Sequence, residues 1–415
     1  MRKLFLSSLT VAAWLGGAGL AHAEFSIPGF ELVQTAPLET GLSSADLRDP
    51  VTVWTELFDG AKSSIDIGQF YVVGHAGSSF DRVFASLRAA GQRGVKIRFL
   101  LDQKGVGLSD KDTIAQLKAI PNLELRIIDI NKLTGNGILH AKYLEIDGRQ
   151  AYVGSQNFDW RSFAHIHETG LRISDPAIVG QVKAIFEQDW RAQAQTEHGG
   201  KATVLNDKVV AADYRQPAFL LASPNAYDPR GVGDSQTGLP ALLAEAKQEV
   251  RIQLLDYAPL SYGPEHTRPY YAVIDNALRA AAQRGVKIKL MVSNWNTEAP
   301  ALAYLKSLSL LPNIEIKIVT LPVASTGFIP YARVIHSKTM EIDGKTAWVG
   351  TSNWAGGYMD LSRNLEVVMR SDKMAQRLAA LHEQTWSSPY AQAIDVNKVY
   401  AVPAKAKPEE MDKEP

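Results

Sequence analysis

The chain is predicted to be α/β, built from two copies of one unit with a mixed sheet, and three observations predict it. Leu87-Arg-Ala-Ala-Gly-Gln-Arg-Gly94-Val-Lys-Ile returns as Leu278-Arg-Ala-Ala-Ala-Gln-Arg-Gly285-Val-Lys-Ile. Pro121-Asn-Leu-Glu-Leu returns as Pro312-Asn-Ile-Glu-Ile. The offset is 191 residues in both cases, from Gly94 to Gly285 and from Pro121 to Pro312. His140-x-Lys142-x4-Asp147 returns as His336-x-Lys338-x4-Asp343, at an offset of 196. Self-similarity at a fixed period means one supersecondary plan used twice. Apolar runs of strand length alternating with helical patterns place that plan in the α/β class.

The elements follow in order. Residues 1–23 read as a signal peptide: Arg2 and Lys3, an apolar run, then Ala21-His22-Ala23 as a small-x-small cleavage site. An uncleaved anchor is the other reading of that run. In the first lobe, 24–195, a strand is expected over Ser64–Phe70 and a helix over Phe80–Arg93 that Gly94 stops. A strand Val95–Leu101 follows. The second lobe, 218–400, repeats this with Val250–Leu255, Ala272–Arg284 and Val286–Val292. A second helix, another strand, a hairpin, a strand carrying glutamate and a last helix close each lobe. The five extra residues before His336 fall in a loop around Ser325 to Arg333. Trp190 and Trp386 are expected in the core on the last helices. Residues 196–217 read as a linker, and 401–415, rich in Lys, Glu and Pro, as a disordered tail.

The hairpins carry the chemistry. Alternation along a strand puts His140 and Lys142 on one face. Asp147-Gly148 and Asp343-Gly344 read as two-residue turns. Such turns set His140 across from Ser155 with Asn157 beyond, and His336 across from Thr351 near Asn353. Each copy thus gathers an imidazole, an ammonium, a hydroxyl and an amide, while Asp147 and Asp343 fall at the turn in a structural role. Histidine serves as nucleophile, acid or base near neutral pH. Lysine and amide groups stabilise charge developing on phosphoryl oxygens. Two such sets suit a covalent two-step displacement, one histidine attacking phosphorus and the other protonating the leaving alcohol. Glu168 and Glu366, each following its motif, are assigned to orient the imidazoles.

On these residues the chain resembles the phospholipase D superfamily, whose signature is a duplicated motif of this kind. Asn157-Phe-Asp159-Trp-Arg161-Ser162 looks like the segment of cardiolipin synthases and of the animal lysosomal phospholipase-D-like proteins. Gly350-Thr351-Ser352-Asn353-Trp354 followed by Gly357-Tyr358 looks more like the lysosomal group. The second copy lacks the Asp-x-Arg-Ser pattern and has Thr351 where Ser155 stands in the first. The resemblance implies a phosphohistidine intermediate, no metal or other cofactor, one active site between two lobes, and His140 as the nucleophile.

What this leaves open is the substrate, with a phospholipid as the first reading and a single-stranded nucleic acid as the alternative. A phospholipid would be cleaved to phosphatidate or its phosphatidyl group transferred to an alcohol; a single-stranded nucleic acid would be cut to nucleotides. A catalytically silent lipid- or nucleic-acid-binding scaffold is a third reading, disfavoured by two intact motifs. Lys+Arg and Asp+Glu both number 44, so no global basic field draws in nucleic acid. There is no cysteine, hence no disulfide, thiol nucleophile or thiolate metal site. A periplasmic or secreted monomer with transient membrane-surface contact is expected. His165-x-His167-Glu168 is weighed as a metal site and set aside, since the second lobe has no counterpart. Tyr71 and Asp256-Tyr257 are expected at the strand ends, by the cleft or in the core. Leu260–Pro269 reads as a lid or as a surface insertion. No phosphate-binding loop or dinucleotide fingerprint is present.

Overall fold

A computed structural model describes residues 24–261 and 267–406. The signal segment 1–23, the middle of the Leu260–Pro269 loop and the end of the tail lie outside the described residues.

Two sheets form the frame. Across the first, the strands run Ser26–Ile27, Phe30–Thr35, Glu168–Ile173, Gln150–Gly154, Tyr143–Ile146, Ser64–Gln69, Lys96–Asp102 and Leu123–Ile128. The last three are parallel to one another and the rest antiparallel. The second sheet repeats the order from Phe30–Thr35 to Leu123–Ile128 and differs at its two edges: Gly233–Asp234, Ala218–Ser223, Asn364–Arg370, Thr346–Gly350, Thr339–Ile342, Glu249–Gln253, Lys287–Ser293, Ile314–Val319 and Ala391–Ala393. Each lobe is therefore a mixed α/β unit. Helices Phe80–Gln92 and Ala272–Gln283 end one residue before Arg93 and Arg284. Gly94 and Gly285 then take φ of +89° and +91°, the left-handed conformation that closes a helix. Strand Phe30–Thr35 and helix Pro50–Gly60, capped by Asp49, are elements of the first lobe that the repeat did not point to.

The lobes share a core. Leu100, Val153, Leu171 and Phe186 of the first pack in one apolar cluster with Leu220, Val349, Val367 and Leu378 of the second. The two last helices, Pro176–Glu197 and Asp372–Trp386, contribute to this middle layer. Trp190 and Trp386 are buried there or beside it, under cations: the Arg126 guanidinium lies 3.9 Å from the Trp190 ring centre and Lys317 Nζ 4.7 Å from that of Trp386.

Two expectations are corrected here. The hairpin turn does contain Asp147 and Gly148, at φ +57° and +67°, with Arg149 N donating to the Ile146 carbonyl. But Ile146 pairs with Gln150 and Tyr143 with Val153, so Arg149 is bulged and the register is one residue off the predicted one. Ser155 therefore does not stand opposite His140; it closes onto Thr169, whose carbonyl it bonds and whose N–H it receives. The second hairpin has the same shift, with Ile342 on Thr346. The tail is the other correction. Residues 401–406 are not free: the Lys405 carbonyl accepts from Tyr331 N at 2.7 Å, and Ala406 is buried.

Candidate active site

Each histidine enters the site on a short stretch that crosses to the other lobe. His140 N and Ala141 N donate to the Arg363 carbonyl; His336 N and Ser337 N donate to that of His167. The two crossings are equivalent, for the offset that relates the histidines also relates His167 to Arg363. The next residue in each case, Glu168 or Asn364, begins a strand and turns its side chain to the histidine of the opposite lobe.

The two partners differ. His336 Nδ1 lies 2.7 Å from Glu168 Oε2, and Ser162 Oγ holds the other carboxylate oxygen at 2.9 Å. His140 Nδ1 lies 3.0 Å from Asn364 Oδ1. The Asn364 amide is oriented from both ends: Thr351 Oγ1 donates to its oxygen at 2.8 Å and its Nδ2 donates to the Tyr358 carbonyl at 2.9 Å. Its oxygen thus faces His140, whose Nδ1 must carry the hydrogen, leaving Nε2 with a lone pair. Thr351, expected opposite His336, instead serves the other histidine through Asn364.

Glu366 is not an orienting group. It bonds Ser235 Oγ and Ser352 Oγ, and no hydrogen bond joins it to His140. The strand register shows why. Glu366 pairs with Gly350, as Gly170 pairs with Gly154, so Glu366 is the counterpart of Gly170 and Asn364 that of Glu168. In the first lobe Tyr152 fills this space; a Cβ on Gly170 would meet its hydroxyl at 2.1 Å. The offset of 196 taken from Glu168 leads to Asn364, the signal that could have found this residue.

Both lysines are buried. Lys142 Nζ bonds the His140 carbonyl, and Lys338 Nζ that of His336 at 2.6 Å. Burial lowers Lys142 well below its ordinary value, with the Lys338 charge adding to it, and brings Lys338 down to about 7. His140 and His336 are each pushed well below 6.5, chiefly by burial and then by the two lysines. Burial raises Glu168 to about 8, against the pull of Lys338. Burial likewise raises Glu366 to about 7.

His140, His336, Asn157 and Asn353 all line one cavity of about 670 Å³. Among the described residues, the side-chain oxygens of Asn157 and Asn353 have no hydrogen-bond partner. The aromatic wall is Phe70, Tyr71, Trp160, Trp295, Tyr331 and Tyr358, and the last packs edge-on to His140 with ring centres 4.6 Å apart. Tyr71 bonds Asp159, which also takes the Arg161 guanidinium. Arg161 reaches across to the Pro330 carbonyl, in the loop that holds the second lobe's five extra residues. That insertion is thus a wall of the cavity and an inter-lobe tie.

The remaining candidates lie elsewhere. Asp147 caps the backbone N–H groups of Lys62, Ser63 and Ser64, and Asp343 those of Lys247, Gln248 and Glu249. His165 and His167 do not converge: the first stacks edge-on to Trp160, and the second has both ring nitrogens engaged by Gln34 and Gln253. Tyr257 is in the core, bonded to Asp275. Asp256 is held by Asn296.

Two lobes with a shared histidine pair and flanking lysines define a phosphodiesterase of the phospholipase D superfamily. The comparisons agree. Residues 55–190 and 239–386 match the family described as "Cardiolipin synthase, PLD-like domain", and the chain belongs to that family. It is 32% identical over 390 residues to phospholipase D Z of Dictyostelium discoideum, covering 87% of this chain and 90% of that one. To the 5'-3' exonuclease PLD3 of Xenopus laevis it is 31% identical, over 81% of this chain and 75% of that one. Phosphatidylserine synthase of Haemophilus influenzae has the same fold, with a TM-score of 0.58 at 11% identity, over 83% of this chain and 85% of that one.

Proposed function

We propose that the protein cleaves single-stranded nucleic acid through a covalent phosphohistidine, with His140 as nucleophile and His336 as acid. The observation that carries the substrate is the aromatic wall beside the histidines, Phe70, Tyr71, Trp160, Trp295, Tyr331 and Tyr358. Every base has a π-face, and stacking on such rings contributes about 1–3 kcal/mol per base without demanding a sequence. The cavity is of a size for a small ligand. The similarity to an exonuclease favours the same class.

The roles follow from the different partners. His140 Nε2 is the bare nitrogen, so it forms the bond to phosphorus while the bond to the leaving oxygen breaks. Glu168 and His336 hold one proton beyond the deprotonated pair. Wherever it rests between Oε2 and Nδ1, Nε2 of His336 bears hydrogen and gives it to the leaving oxygen. Water then attacks, returns a proton to His336, and the phosphorus–nitrogen bond breaks. Lys142, Lys338, Asn157 and Asn353 stabilise the phosphoryl oxygens.

A phospholipid is the second reading. It is favoured by the apolar part of the wall, Val73, Leu108, Ile166, Leu255 and Val334, and by the similarity to phospholipase D Z. Incubating the purified protein with labelled single-stranded DNA and labelled phospholipid side by side tests both. Release of nucleotides with intact lipid is expected; release of head group with intact DNA would replace the first reading by the second. The protein is taken to work outside the cytoplasm as a monomer, testable by fractionation and sedimentation.

A further inference from the structure

Among the described residues, two cations other than the catalytic set line the cavity, Arg161 and Lys405. Arg161 is committed to Asp159 and the Pro330 carbonyl. Lys405 is not committed in the same way. Its ammonium pairs with Glu298 at 2.8 Å, with both side chains about a third exposed. A pair so open to water is worth little and exchanges readily for another anion. The same ammonium stands 5.7 Å from the centre of the Trp295 ring.

The segment that brings Lys405 there is anchored along its length. Strand Ala391–Ala393 forms the edge of the second sheet by pairing with Ile314–Val319. The Tyr400 ring lies under Lys306 and Lys398, and Lys306 Nζ donates to the Lys398 carbonyl at 2.7 Å. At its end Tyr331 N donates to Lys405, and Tyr331 sits at φ +55°, a conformation that a bulky residue adopts only when held. The C-terminal segment therefore holds two aromatic rings and one exchangeable cation on the same side of the site.

We propose that this segment is a substrate-binding strap: Lys405 takes the phosphate next to the scissile one, and a base stacks at Trp295 and Tyr331. The proposal rests on the nucleic-acid reading above. It makes the protein prefer a strand of several nucleotides over a minimal phosphodiester.

The test compares full-length protein with Lys405→Gln and Lys405→Arg on a short thymidylate oligomer and on bis-nitrophenyl phosphate, over a range of salt. For Lys405→Gln a roughly fivefold to tenfold rise in KM on the oligomer is expected, with kcat held. The slope of log kcat/KM against log salt should shrink by about 0.7, the loss of one phosphate contact on a single strand. Lys405→Arg should restore both. A chain ending after Val402 should lose preference for the oligomer, whereas one ending after Ala406 should keep it. An unchanged salt slope in Lys405→Gln, or an equal fall on both substrates, would overturn the proposal and leave a merely structural strap. A wild-type protein inert on the oligomer but active on bis-nitrophenyl phosphate would overturn the nucleic-acid reading itself, and the strap proposal with it.

Discussion

Asn364 is where the two halves of the site cease to be alike. A carboxylate behind one histidine and an amide behind the other give the imidazoles different proton inventories, although their motifs are the same. Two outcomes follow. On a nitrophenolate ester, whose leaving group needs no protonation, His336→Ala should release a burst and carry a phosphoryl adduct on His140. His140→Ala should show neither, as read by intact mass and peptide mapping; an adduct on His336 would reverse the roles. The second outcome concerns pH. Glu168 is raised to about 8, so the pair keeps its proton below that value and loses it above. Activity should therefore fall as pH rises through about 8. It should persist on the acid side of 6.5, because His140 is held neutral there by burial and the two lysines. Glu168→Gln should lower kcat by about 10²–10⁴ and abolish the alkaline limb. A limb that stays in that variant would assign it to another group, Lys338 at about 7 being the nearest in value.

The hairpin shows what an element contributes without touching substrate. Its turn residue Asp147 collects three backbone N–H groups and the Ser63 hydroxyl, and so ties the hairpin to the start of the neighbouring strand. Burial, the largest single influence, pushes the Asp147 carboxylate up, and the hydrogen bonds from Ser63, Ser64 and Lys62 together outweigh it and bring it down to about 2. Asp147→Ala removes these bonds and strains the left-handed backbone at this position. The expected cost is about 1–2 kcal/mol of stability, read by denaturant unfolding. kcat at low temperature should change little, since Asp147 lies at the far end of the hairpin from His140. A large loss of kcat in a fully folded variant would contradict the structural role. The hairpins were legible from Asp-Gly and the alternation; the bulge was not, because the same two turn residues serve a loop with or without an extra residue.

At the scale of the molecule, neither lobe is complete. His140 takes its side-chain partner from the second lobe and His336 from the first, and the backbone at both histidines bonds across the boundary. Arg363, fully buried, adds a charged tie to Asp189 of the first lobe and Asp228 of its own. Breaking such a group typically costs about 3–5 kcal/mol, since the carboxylates left behind remain buried. A fragment ending at Thr196 should show no turnover, and mixing it with the remainder of the chain should restore it. An active monomeric fragment would show that the two motifs do not form one site.

Much of this was decided locally and could be read locally. The repeat, the glycine-stopped helices, the α/β class and the six residues His140, Lys142, Asn157, His336, Lys338 and Asn353 depend on periodicity, turn chemistry and short spacings. Glu168 was legible as a candidate, but not the histidine it serves. That pairing runs between residues 168 positions apart, on strands of different lobes, and only the docking of the two sheets brings it about. Glu366 was misassigned because its type is right and its place is two residues along the same face; side-chain alternation cannot separate them. The strap escaped for a related reason. A Lys-, Glu- and Pro-rich stretch has too little apolar surface to order itself, and residues 401–406 are placed by what precedes and faces them: a strand edge, a tyrosine between two lysines and one carbonyl. Local sequence determined which groups the protein carries; the packing of one lobe on the other decided which of them meet.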